Sequence, residues 1–246
     1  MGFKVGGEGS GKGMRFFNIN GKEGIFIESV KNRETGKYDR VHAPSGSVLT
    51  GYLDSLKIVT EKNPDNEDVM KARAKFASVD ANDPAMSVEV VLWRQAAGQT
   101  NPEIGEASAF GLGWLATLNG SNLDKPMAIM PWAMKKGDKM ADGEVRTNDS
   151  AGISIRQDGE KVKKAYVENG KVTDKLAPLP SQVFAGKTMY DKSGWNDVIT
   201  NTFMAVHNRL HPADTAADNQ PDADDSINPA EAAQAAERGQ PERARA

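Results

Sequence analysis

The last 36 residues, His211–Ala246, limit the fold by what they cannot contribute to it. Ile227 is their only large apolar side chain, and from Asp214 to Glu231 six acids occur without a lysine or arginine. Such a segment buries too little surface to offset an ordering cost of roughly 1–2 kcal/mol per residue. It is expected to remain a disordered acidic tail over 211–246. At the other end, glycines at 6, 7, 9, 11 and 13 and few apolar anchors suggest a flexible leader over 1–13. The core must then come from residues 14–210, a length that suits one domain.

Charge follows the same division. The tail holds eight acids and three bases, so of 34 acids and 31 bases in the chain 26 and 28 remain in residues 1–210. A body near +2 and a tail near −5 lie behind the formal charge of −3. A basic body with an acidic tail suggests that the body meets a polyanion and the tail a protein partner or the body itself. With no cysteine there are no disulfides, thiolate metal sites or thiol nucleophiles. No apolar run reaches membrane-spanning length and the first residues lack a secretion signal, so a soluble cytoplasmic protein is expected.

Along the body, Met14–Ile19 and Gly24–Val30 have strand composition, and Lys31–Arg40 is expected to be a turn or loop that reverses at Gly36. Val48–Thr60 is a long strand candidate in which Gly51 suggests a bulge. Lys71–Val79 suits a second strand, although Glu67–Lys75 also suits a short helix. Met86–Trp93 alternates, with Val88, Val90 and Leu92 on one face and Trp93 pointing away from it beside Arg94. Phe110, Trp114, Leu115 and Leu118 fall at helical spacing. Lys125–Trp132 returns to extended structure, its two prolines favouring a short or edge strand. Ala151–Arg156 and the basic stretch Lys161–Val167 complete the strands. A final helix capped at Ser193 presents Trp195, Val198, Ile199, Thr202, Phe203, Val206 and Leu210 on one side.

Catalytic patterns are weak. Gly6-Gly-Glu-Gly-Ser-Gly-Lys-Gly13 has the spacing of a phosphate-binding loop, but glycine stands where that loop needs a hydroxyl for the metal, and no strand precedes it. His42, His207 and His211 lack metal-ligand spacing. Asp142, Glu144 and Asp149 leave a magnesium-dependent nuclease as an alternative. The stronger pattern interleaves bases with aromatic rings, as a single-strand binder needs for phosphates and bases. Lys31, Arg33, Lys37, Tyr38 and Arg40 form one group and Trp93 with Arg94 another. Trp132 with Lys135 and Lys136 forms a third, and Arg156, Lys161, Lys163, Lys164 and Tyr166 a fourth. Trp114 and Trp195 are explained by core packing alone.

Five or six short strands with a helix between the third and fourth, in a mainly β body, fit an OB-fold-like barrel with an N-terminal strand extension and a C-terminal helix. Gly51-Tyr-Leu-Asp-Ser-Leu-Lys-Ile58, the Val88–Trp93 strand, the helix ending Leu118-Asn-Gly120, Lys125-Pro-Met-Ala-Ile-Met-Pro131 and Ile153-Ser-Ile-Arg-Gln-Asp-Gly-Glu-Lys-Val162 together resemble bacteriophage single-stranded DNA-binding proteins with an OB core, over roughly residues 24–205. The resemblance implies sequence-independent binding and protection of single-stranded DNA during phage replication or recombination, in the host bacterial cytoplasm, without catalysis or cofactor. It also implies replication or host transcription proteins as partners of the acidic tail, where Asp222, Asp224, Asp225 and Ile227 are the candidate contacts. The chain departs from that pattern by ending Glu242-Arg-Ala-Arg-Ala246, without an apolar tip. A protein-interaction adaptor remains the non-nucleic-acid alternative. Deleting 212–246 is expected to leave folding intact and to strengthen DNA binding at low salt.

Overall fold

Period-two alternation builds the centre of the molecule. The structure is a computed structural model that describes residues 14–63, 65–95, 105–140, 143–184 and 187–212. The glycine-rich loop candidate, Asp142 and the tail contacts Asp222, Asp224, Asp225 and Ile227 lie outside those residues. The chain divides after Leu210 into two units, and every named element lies in the first. In chain order these are β1 (Arg15–Asn20), β2 (Ile25–Lys31), β3 (Tyr38–His42), β4 (Leu49–Lys62), β5 (Asp68–Ser78), β6 (Met86–Gln95) and β7 (Gly105–Ala107). After them come α1 (Ala109–Gly120), β8 (Met127–Met134), β9 (Ser150–Gln157), β10 (Glu160–Lys161), β11 (Tyr166–Glu168), β12 (Lys171–Thr173), β13 (Ser181–Phe184), β14 (Lys187–Tyr190) and α2 (Trp195–Leu210).

Ten of the strands form an open sheet in the order β10-β9-β8-β4-β5-β6-β1-β2-β3, with β7 joined to β6, while β11–β12 and β13–β14 are separate two-stranded ribbons. The fold is mainly β with two helices, and the expected OB-fold barrel is not formed. A barrel needs its terminal strands to pair with each other, and a strand has only two hydrogen-bonding edges. The outer edge of β6 is taken by β1, which runs parallel to it over Arg15–Asn18, and then by β7. That of β9 is taken by β10. The N-terminal strands thus lengthen the sheet instead of decorating a closed barrel, and the resemblance to phage DNA-binding proteins built on that barrel is overturned with it.

One side of the sheet is the core. Phe17, Phe26, Leu56, Ala72, Ala74, Phe76, Val88 and Leu92 pack there beneath α1, and Trp114 meets the Phe76 ring at 6.3 Å between centroids. Helix α1 is buried from Gly111 to Leu118, as a helix apolar all round must be. Ser108 caps it by accepting from the Gly111 N–H at 3.1 Å. Helix α2 turns only Val198, Ile199, Thr202 and Val206 fully inward. At its entrance Asp191 accepts from the Ser193 N–H, a bond that, with one from the Ser193 hydroxyl, holds its carboxyl below the ordinary 3.8. Asp158-Gly159 and Asn169-Gly170 close hairpins with positive φ at both residues, the conformation that two-residue turns require.

Several local expectations are corrected. Residues 68–75 are strand, because Lys71, Arg73 and Lys75 alternate with buried alanines. The register shift in β4 falls between Leu53 and Ser55, not at Gly51. Gly51 serves close approach instead, since a Cβ there would lie 2.6 Å from the Ala77 carbonyl oxygen. Strand β8 is interior despite its prolines: β4 pairs with it only across Met127–Ile129, which leaves Pro131 without a ladder on that side. Of the basic stretch 161–167, only Lys161, Tyr166 and Val167 are in strands.

Opposite Phe17, Glu28 is buried and receives two bonds of 2.7 Å from Arg15, whose guanidinium also stands 4.9 Å from the Phe17 ring centre. Glu28→Ala leaves that guanidinium half-buried and unpaired. It is expected to cost about 2 kcal/mol, read as a lowered urea midpoint at unchanged slope.

Candidate nucleic-acid interface

The other side of the sheet is polar, and strand register fixes its composition, because residues directly opposed across strands share a face. One row crosses six strands as Ser55, Lys75, Ser87, Phe16, Ser29 and Arg40. The adjacent row reads Lys57, Arg73, Glu89, Asn18, Ile27 and His42. Two residues beyond Ser29, Lys31 faces Tyr38, and on β6 Arg94 faces Val69. The rows span five strand intervals, roughly 24 Å along the sheet.

Three exposed aromatic rings stand out of this face, Tyr52 on β4 opposite Ala77 (38% exposed) and two on the N-terminal strands. Phe16 is 42% exposed and Tyr38 64%. Strand geometry puts their Cα atoms roughly 12 Å apart, so they are separate platforms. Part of the positive charge is internally compensated: Glu89 lies 2.5 Å from Arg73 and 3.5 Å from Lys71, Glu61 also pairs with Lys71, and Asp54 meets Lys75 at 2.9 Å. Lys31, Arg40, Lys57 and Arg94 have no carboxylate partner among the described residues.

The bases and rings singled out in the sequence separate into places of different character. Lys31, Arg33, Lys37, Tyr38 and Arg40 are exposed on the β2–β3 hairpin. Trp93 is buried, 6% exposed. A register shift at Met70/Lys71 sets it opposite Met70 and Ala107, so the indole turns to the core side and only Arg94 remains outward. Gly105 then lies so close to the indole that a Cβ would come within 2.0 Å of it. Tyr166 is also buried, with the Lys164 ammonium 5.9 Å from its ring centre. Lys135 donates to the Lys22 carbonyl at 3.0 Å, while the Lys136 N–H donates to Asp149 at 2.8 Å. Arg156 is exposed opposite Lys161, and Lys163 is exposed after it.

Trp132, Lys161 and Lys164 meet at a cleft of about 130 Å³ between α1, β8 and β9. The indole lies across Gly152, where a Cβ would approach it to 2.7 Å. Phe110 forms one wall of this cleft and also lines a broader groove of about 550 Å³ that contains Asn18, Lys71, Glu89 and Arg94 from the polar face.

The chain matches no family model, no curated protein and no solved structure. The site therefore has to be judged on its own geometry.

Five contributors went unrecognised in the sequence: Phe16, Lys57, Lys71, Arg73 and Lys75. The signal for three of them was present, as lysine or arginine at every second position from 71 to 75 marks one face of a strand. Phe16 and Phe17 are adjacent, so composition alone does not tell which is buried. Among the described residues no three histidine, aspartate or glutamate side chains gather as metal ligands. Asp149 is engaged by the Lys136 backbone, and among the described residues no helix is long and apolar enough to cross a membrane.

Proposed function

We propose that this protein binds single-stranded nucleic acid, without cleaving it, across the polar face of β4, β5, β6, β1, β2 and β3. The observation that carries this reading is the pair of most exposed rings, Phe16 and Tyr38, on one face with four bases that have no carboxylate partner among the described residues. Exposed aromatics on an open sheet stack unpaired bases, and flanking lysine and arginine track phosphates; a duplex hides the base faces that such rings need. Ion pairs such as Arg73–Glu89 do not disable the remaining cations, since partly exposed pairs contribute only about 0–1 kcal/mol and exchange partners readily.

Titration of labelled single strands and duplex at several salt concentrations tests the reading. Single strands are expected to bind more tightly. Log affinity should fall against log salt with a slope of roughly −3 if Lys31, Arg40, Lys57 and Arg94 each neutralise a phosphate. Negligible affinity at low salt, or equal affinity for duplex, removes the proposal.

A further inference from the structure

The cleft between α1 and β8–β9 differs in charge from two larger surface grooves. The groove beside β6 contains Glu67, Glu89 and Glu106 as well as Lys71 and Arg94. That beside β4 contains Asp80 and Asp83 with Arg15. Among the described residues the small cleft is lined by Lys161 and Lys164 and by no carboxylate. Neither lysine has a carboxylate partner among the described residues. Its remaining surface includes two aromatic rings, Phe110 and Trp132, and the hydroxyl-bearing Thr117 and Ser154.

Local structure keeps the cleft open. Gly152 allows the indole to lie on the β9 backbone, and Gly113 leaves room for the Lys164 ammonium, which would stand 3.1 Å from a Cβ at that position. At about 130 Å³ the space is below the roughly 300–1,000 Å³ of pockets that enclose a whole drug-sized ligand. It suits one planar base, with the attached phosphate outside that space beside the exposed Lys161 and Lys164. Phe110, shared with the groove that opens on the polar face, makes the two regions adjacent.

We infer that this cleft is a one-nucleotide subsite: a base of the bound strand rests against Trp132 and Phe110, and its phosphate is held by Lys161 and Lys164. This rests on the proposed single-strand binding and adds to it a fixed anchoring point. A strand crossing the polar face is seated at one end by a ring-and-phosphate contact, whereas the face itself offers only open stacking platforms.

The test uses the full chain with labelled oligothymidylate, and thymidine 5′-monophosphate as the single-nucleotide probe. The double substitution Lys161→Gln/Lys164→Gln is expected to weaken oligonucleotide binding about tenfold and to abolish binding of the monophosphate. A control with the same charge change away from the cleft, Lys171→Gln/Lys175→Gln, should weaken oligonucleotide binding much less. Tryptophan fluorescence should be quenched by the monophosphate in the unmodified protein and not in Trp132→Phe. If oligonucleotide binding persists and depends on Phe16 and Tyr38, but the two double variants behave alike and Trp132→Phe keeps the quench, the subsite is refuted and the polar-face reading stands. If no oligonucleotide binds to the unmodified protein, the polar-face reading fails and the subsite with it.

Discussion

Alanine at both Phe16 and Tyr38 is expected to weaken single-strand binding by about 2–6 kcal/mol at fixed salt, a loss of roughly 30-fold or more. Each ring stacked on a base contributes about 1–3 kcal/mol, and sites roughly 12 Å apart without shared partners add with little coupling. The fold should tolerate the change. Phe16 and Tyr38 are 42% and 64% exposed, their strands are held by backbone ladders on both β1–β2 and β2–β3, and the neighbouring Phe17 supplies the core contact. The urea midpoint should therefore correspond to a stability change within about 1 kcal/mol, the span of strand propensity itself. The salt slope should stay the same, because no phosphate contact is removed. Anisotropy titrations of the two single variants, the double variant and Trp93→Phe separate stacking from charge. Trp93 is buried on the core side, so its substitution should leave affinity unchanged. If the double alanine variant binds as tightly as the unmodified protein, the polar face is not where bases stack.

How much of this was legible in the sequence depended on whether a local pattern or a long-range pairing decided the outcome. Val88, Val90 and Leu92 fall at every second position after Ser87 and Glu89, and their burial was expected from that spacing. Trp93 obeyed the same alternation until an extra residue in β6, Leu92 between the pairs Met70–Trp93 and Lys71–Val91, reversed its face, a shift that shows only in the pairing with β5. Sheet closure was illegible for a similar reason. Strand candidates and the helix between them were readable, but the choice of β1 as the parallel neighbour of β6 is a non-local event, and it consumed the edge that a barrel requires. Within the candidate site, Tyr38 and its surrounding bases were found because they are contiguous in sequence. Phe16, Lys57 and Arg73 join them only through register across six strands. The cleft shows the converse: Trp132 was singled out in one group and Lys161 and Lys164 in another, and the fold brought them to one place.

The two glycines in the first half of α1, Gly111 and Gly113, show what a propensity argument leaves out, and they carry the largest expected effect on stability. By helix propensity each costs about 1 kcal/mol relative to alanine, so replacing either should help. The surroundings divide them. A Cβ at Gly111 would lie 2.2 Å from the Val91 carbonyl oxygen and 3.0 Å from the Leu92 Cα, both backbone atoms of an interior strand that cannot yield separately from the sheet. Among the described residues a Cβ at Gly113 would meet only the end of the flexible Lys164 side chain, its ammonium at 3.1 Å and its Cε at 3.7 Å. Gly111→Ala must push the helix off β6 and disturb the packing of Leu112, Trp114, Leu115 and Leu118, so a net loss of about 3 kcal/mol is expected. Gly113→Ala should gain about 0.5–1 kcal/mol once Lys164 swings aside. Urea unfolding of the two variants measures both at once, and their opposite signs distinguish backbone collision from any general intolerance of change in this helix. Equal destabilisation by both would mean that α1 does not present Gly111 to β6, and a stable Gly111→Ala protein would mean that the helix is not seated as closely as the Val91 contact requires.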